Sequence, residues 1–223
     1  MGMGTPVALG KIFGVMVRLD ISLFLLAAFY IVDGLRDNGV QGALDSATFS
    51  VLLFFCIYLH EMGHAFGGWL FNIKTLDVTL TFFGGYARLL GVPRTPFQQV
   101  VVSFAGPAVN LLIGAALFWY YYNVGGAGWM VYSLAYVNVF LGLFNLLPGF
   151  PLDGGKIAAA ILSNFMRSST AHVVTGYIGV GIGFLLVAIG IQGSYGGFFT
   201  AIVGFMLIMA ASTEIQANRG GRF

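Results

Sequence analysis

Residues 47–71 read ATFSVLLFFCIYLHEMGHAFGGWLF, an apolar run that carries His60-Glu61-Met62-Gly63-His64 in its second half. A helix needs about 20 predominantly apolar residues to cross the ~30 Å hydrocarbon core of a bilayer, and this run is long enough. The rest of the chain agrees with it. Of 223 residues, 10 are Lys or Arg and 8 are Asp or Glu, so charged types make up 8%. An ordinary soluble domain has about 25%. Apolar types reach 58%, aromatics 16% and mean hydropathy +0.90. A closed soluble fold exposes a large surface, and too few charges are present here to cover one. A water-soluble monomer and a disordered chain are both excluded; lipid is the expected solvent. The net charge of +2 is small and scattered, which points away from nucleic acid. With Cys56 as the single cysteine, no intramolecular disulfide can form. Met1 to Gly10 is not basic and no small-residue cleavage site follows, so no signal peptide is expected.

Working outward, the apolar runs give six candidate spans: Leu19–Leu35, Ala47–Phe71, Phe97–Tyr122, Ala127–Leu147, Ala171–Gln192 and Tyr195–Ala217. Loop charges orient them. Asp33, Arg36, Asp37 and Asp45 follow the first span, Lys74, Arg88 and Arg94 the second, and Lys156 and Arg167 the fourth. Lys11 and Arg18 precede the first span, and Arg219 and Arg222 follow the last. Nine of the ten basic residues then share one side. The positive-inside rule places both termini in the cytoplasm of a multi-pass cell-membrane protein. Residues 72–90 differ in character. Leu76, Val78, Leu80 and Phe82 alternate with Asp77, Thr79 and Thr81, which predicts a strand, and Gly84-Gly85 predicts a turn. Bare strand edges cannot face lipid, so this hairpin belongs at the cytoplasmic interface or in a protein-lined cavity. The expected fold class is membrane all-α, with about six transmembrane helices and a small β segment (residues about 72–90) between the second and third. Residues 1–223 are expected to form a single polytopic membrane domain.

On a helix His60 and His64 share one face and can grip one ion. Glu61 lies about a hundred degrees around, within reach of a water beside that ion. This is the H-E-x-x-H arrangement of zinc hydrolases. The chain has three His (His60, His64, His172) and two Glu (Glu61, Glu214), and three of these five fall within residues 60–64. Ionisable residues cost about 2.5 kcal/mol or more at the bilayer centre and are kept there mainly for function. The plain alternative is a set of helix-packing polar residues satisfied by neighbours. A catalytic zinc also needs a third protein ligand. Cys56 is eight residues from His64, about 12 Å along the axis, and reads as a small buried hydrophobe. His172, beside Ser168, Ser169 and Thr170, reads as an interfacial side chain. Asp153 is the better candidate: it stands among apolar residues after Pro148 and Pro151, which break the fourth span. A helix N-cap before Gly154 is the competing reading of Asp153.

His60-Glu61-Met62-Gly63-His64, followed by Asn145…Pro148…Pro151-Leu152-Asp153-Gly154, resembles the site-2 protease family of intramembrane zinc metalloproteases. Phe104-Ala105-Gly106-Pro107 with Asn110, and Phe83-Gly84-Gly85-Tyr86, look like two further elements of that family. With no PDZ insertion and no CBS domain, the chain resembles the minimal six-span branch. The resemblance implies His60, His64 and Asp153 as ligands of one Zn2+ per chain, Glu61 as general base, and Asn145 as an aid to the polarised carbonyl. It also implies transmembrane protein substrates, cleaved within or near their spans, and a substrate gate between the first and sixth spans.

Further expectations concern substrate and packing. A substrate helix must unwind before hydrolysis, and the strand at Leu76–Phe82 could accept it as an added strand. Glycines 176, 179, 181, 183, 193, 196, 197 and 204 suggest close helix packing. The alternative function is a membrane metal-binding or metal-transport protein without protease activity. A di-iron bundle needs a second Glu-x-x-His pair, and the one remaining glutamate, Glu214, cannot supply it.

Overall fold

The computed structural model describes residues 6–12, 14–81, 84–124, 128–193 and 197–219. Phe82, Phe83, Gly196 and Arg222, all used in the sequence reading, lie outside them, as do the expected starts at Ala127 and Tyr195. The elements in order are β1 (Val7–Ile12), β2 (Val15–Leu19), α1 (Ile21–Trp69), β3 (Lys74–Thr81), β4 (Gly84–Leu90), α2 (Pro96–Val124), α3 (Trp129–Asn145), α4 (Asp153–Leu162), α5 (Ser168–Ile191) and α6 (Gly197–Arg219). Helix dominates, as the composition requires, and one small sheet accompanies it. Four helices, α1, α2, α5 and α6, are long and apolar enough to cross a membrane, and α3 is a shorter apolar helix of 17 residues.

The first two apolar runs lie within α1 and are not separated by a loop. Asn38 and Gly39 break the helical conformation inside it, with Gly39 at φ 59° and ψ −148°. In a continuous helix Gly34 and Gly42 would stand about 12 Å apart. Here a Cβ added to Gly34 would lie 2.4 Å from the Gly42 carbonyl oxygen and 2.3 Å from Ser46 Oγ. The chain therefore doubles back at Asn38-Gly39, and Arg36, Asp37 and Asp45 sit in helical turns beside the reversal. Sequence reading expects a loop there because the charges cluster. One glycine in a conformation nearly closed to other residues replaces it.

Doubling back returns α1 to the sheet it left. Asp20 caps the start of α1 by accepting from Ser22 N at 2.9 Å, while Asp20 N donates to Leu80 O at 2.8 Å. At the far end Asn72, at φ 59°, turns the chain into β3, a conformation asparagine tolerates better than most residues. The sheet order is β1-β2-β3-β4; β2 and β3 run parallel and the other pairs antiparallel. The hairpin expected at residues 72–90 is present as β3 and β4, but the partner hairpin β1–β2 was not foreseen. Val17, Val78 and Leu80 on the sheet pack with Leu23 and Tyr58 of α1 into a buried cluster. A register shift between Thr75 and Asp77 accompanies the exposure of Leu76, and Asp77, Val78, Thr79 and Leu80 are all buried, so the in-and-out burial that the alternation suggested is not seen in β3. Asp77 is buried and paired with Arg88 across the β3–β4 ladder.

Two compact units partition the chain: Met1–Val92 with Ala105–Gly142, and Pro93–Phe104 with Leu143–Phe223. The first contains the sheet, α1 and most of α2 and α3. In the second, α5 packs closely on α6, where a Cβ on Gly183 would lie 2.7 Å from Gly204 O and one on Gly190 2.7 Å from the Ala201 Cβ. The helix packing expected for Gly176, Gly183 and Gly204 is thus met; Gly179 instead faces the Phe150 backbone before α4, and Gly181 and Gly193 meet no neighbour within 4 Å.

Candidate metal centre

In the first unit the second half of α1 presents His60, Glu61 and His64, all buried at 7%, 4% and 8% exposure. Four-residue spacing stacks the two imidazoles on one face, with ring centroids 4.8 Å apart and planes at 82°. Their Nε2 atoms are 3.1 Å from each other. A tetrahedral ion with nitrogen ligands at about 2.0–2.1 Å sets an edge of about 3.3 Å, so the pair already stands at ligating separation.

Two glycine contacts make room for this arrangement. A Cβ on Gly63 would lie 2.6 Å from Ala105 O, so α2 approaches α1 beside the histidines. A Cβ on Gly106 would lie 2.4 Å from His64 Nε2 and 2.8 Å from His60 Nε2. The imidazoles occupy the space that any larger residue at 106 would take. On the sheet side, a Cβ on Gly85 would lie 2.4 Å from Glu61 Cγ and 2.7 Å from Glu61 Oε1. The first turn of β4 thus confines the Glu61 side chain.

Behind His60 runs a buried polar chain. His60 Nδ1 hydrogen-bonds Asn110 Oδ1 of α2 at 2.5 Å, Asn110 Nδ2 donates to Asn138 Oδ1 of α3 at 2.8 Å, and Asn138 Nδ2 donates to Leu134 O at 2.8 Å. Cys56, one turn before His60, is buried with its thiol against the Asn138 amide. Sequence reading noted Asn110 as part of a motif and missed Asn138. The available signal is the same scarcity that marks Glu61: an amide in the middle of the apolar run of α3, whose one other amide, Asn145, stands at its end.

In the second unit Asp153 is buried and opens α4, while the capping position belongs to Leu152, which makes no side-chain cap bond. The N-cap reading of Asp153 therefore fails by one position. Lys156 Nζ donates to Asp153 Oδ1 at 2.9 Å. The segment before it folds tightly onto α4: a Cβ on Gly154 would lie 2.2 Å from Leu146 O, and one on Gly155 2.5 Å from Phe150 N. Asn145 is the last residue of α3. His172, expected as an interfacial side chain, bonds Glu214 Oε1 at 2.8 Å and stacks on the Phe150 ring with centroids 5.2 Å apart. That pairing accounts for the second glutamate of the chain.

Residues 48–190 match peptidase family M50, a span that holds both motifs. The chain belongs to peptidase family M50. Among M50 relatives, zinc metalloprotease MJ0392 of Methanocaldococcus jannaschii is 29% identical over 193 residues, covering 85% of this chain and 55% of its own length. The Synechocystis protein sll0528 is 29% identical over 231 residues, covering 96% of this chain and 61% of its own. The chain thus spans 55–61% of the length of these two M50 relatives. A solved structure, the site-2 protease from Methanocaldococcus jannaschii, superposes with a TM-score of 0.73 at 27% identity, covering 95% of both chains. The resemblance read from the two motifs is therefore correct, and an M50 peptidase with long apolar helices is a membrane protein.

Proposed function

We propose that this chain is an intramembrane zinc metalloprotease that hydrolyses peptide bonds within or near the transmembrane segments of membrane-tethered proteins. The observation that carries the reading is the buried His60–His64 pair, its Nε2 atoms at 3.1 Å, with buried Glu61 beside it in a chain of family M50. We assign His60, His64 and Asp153, each of them buried, as the ligands of one ion. Two imidazoles and one carboxylate fit zinc and leave its fourth position open. Bound there, zinc would lower the pKa of water toward neutrality and polarise the scissile carbonyl. Glu61 takes the proton from the attacking water and delivers it to the leaving amine. Asn145 donates to the carbonyl oxygen as negative charge develops on it. A transport protein would spread its donors along several helices, whereas His60, Glu61 and His64 stand within five residues of one helix.

The finer assignments belong to the same proposal. Residues 1–223 act as one protease domain with six spans, α1 supplying two of them, and both termini face the cytoplasm because nine of ten basic residues then lie on that side. Unwound substrate cannot add to β3, as the sequence suggested, because β2 and β4 already pair with both of its edges. Strand addition shifts to β4, whose Gly85 touches Glu61 and whose outer edge carries no partner strand among the described residues.

Glu61→Gln tests the reading. Cleavage of a transmembrane substrate in detergent should fall by about 10²–10⁴-fold, the usual contribution of a general base. One zinc per chain should remain. Surviving cleavage, or zinc lost together with activity, would show that Glu61 does not hold this role.

A further inference from the structure

Asn110 and Asn138 have no part in the chemistry proposed above, yet both are fully buried in apolar helices. An amide can serve a histidine by donating or by accepting, and the two choices have opposite consequences for a metal. The bonds leave no freedom in that choice. Leu134 O is a backbone carbonyl and can only accept, so the Asn138 atom 2.8 Å from it must be the amide nitrogen. Asn138 Oδ1 is thereby turned to Asn110, whose own NH2 must donate to it. Asn110 Oδ1 is then left facing His60 Nδ1. An oxygen acceptor there requires Nδ1 to carry the proton, so Nε2, the nitrogen facing His64, keeps its lone pair. Flipping either amide would set oxygen against oxygen or NH2 against NH, so the three bonds stand or fall together.

We propose that Leu134 C=O, Asn138 and Asn110 form a one-way hydrogen-bond relay that holds His60 in the Nδ1–H tautomer, and so commits it to bind metal through Nε2. Asn110 and Asn138 are positioning residues, acting through His60 without touching ion or substrate. The relay rests on the reading of His60 as a metal ligand.

The test uses the full chain in detergent and two readouts. Zinc affinity is measured by chelator competition, and the His60 tautomer is read from 15N shifts of labelled histidine, assigned by the signals lost in His172→Gln and in His64→Gln. Wild-type protein freed of zinc should show His60 as Nδ1–H; an Nε2–H signal there overturns the relay without any variant having to fold. Asn110→Leu should weaken zinc binding about 10–100-fold, the usual effect of removing a partner of a ligating histidine. Asn110→Asp, whose carboxylate still accepts from Nδ1–H but cannot donate to Asn138 Oδ1, should restore part of that loss. Asn138→Leu should weaken zinc in the same direction, and the double Leu variant should be no weaker than Asn110→Leu alone. Unchanged affinity in Asn110→Leu, or equal losses in Asn110→Asp and Asn110→Leu, overturns the relay in favour of packing. A wild-type chain that binds no zinc at all would instead sink the metal reading on which the relay depends.

Discussion

Glu61 stands one position from His60 and three from His64, but different glycines guard the acid and the imidazoles, and this separates their failures. Gly106 lies under both Nε2 atoms, with an added methyl 2.4 Å from His64 Nε2 and 2.8 Å from His60 Nε2. Two ring nitrogens 3.1 Å apart cannot yield that much space without losing their common focus. Gly106→Ala should therefore reduce bound zinc well below one per chain, measured by metal analysis after gel filtration, and abolish cleavage with it. Gly85 faces Glu61, and a Cβ added there would lie 2.4 Å from Glu61 Cγ. Gly85→Ala should keep zinc near one per chain while cutting cleavage at least 10-fold, because a misplaced base loses most of its benefit. Zinc loss in Gly85→Ala, or full zinc in Gly106→Ala, would reverse these assignments. Glycine at 85 and 106 is set by the neighbouring side chains, a reason invisible in a one-dimensional reading.

At the scale of elements, the reversal inside α1 decides whether His60 can stand near the sheet. Gly39 holds φ 59° and ψ −148°, a region that other residues enter at a cost of about 1–3 kcal/mol. Gly39→Ala should destabilise the chain in detergent by that amount, while Gly181→Ala, a position inside α5 where an added Cβ meets no neighbour within 4 Å, should leave it no less stable, since alanine is the better helix former. Equal effects at the two sites would mean that the reversal is not strained. The sheet teaches a second point. Alternation in residues 76–82 identifies β3 as a strand, but not as an interior one; only the pairing of β2 alongside it shows that its edges are closed. The β1–β2 hairpin escaped reading because Val7–Ile12 is exposed along nearly its whole length and shows no period-two burial. Its partner is supplied by β3, some sixty residues away in sequence.

For the whole molecule, the proposed orientation makes a direct prediction. In a Cys56→Ala background, single cysteines at the exposed positions Lys74, Arg94 and Arg219 should react with a membrane-impermeant maleimide in inside-out vesicles only. A cysteine at Asp37 should react in right-side-out vesicles only. The opposite pattern would invert the topology, and labelling of Lys74 and Asp37 from one side would remove the two-span reading of α1. Membrane character, the apolar helices, the β3–β4 hairpin and His60-Glu61-x-x-His64 were all determined by sequence alone. Each depends on local periodicity, or on the scarcity of charge in a chain with 8% charged residues. Tertiary structure alone decided which edge of the sheet stays open, that Asp153 opens α4 without capping it, and that Asn138 reaches His60 through Asn110. Those outcomes depend on groups far apart in the chain being brought within hydrogen-bonding distance. Hydropathy records how much a residue avoids water; it does not record which distant carbonyl or amide will meet it once water is gone.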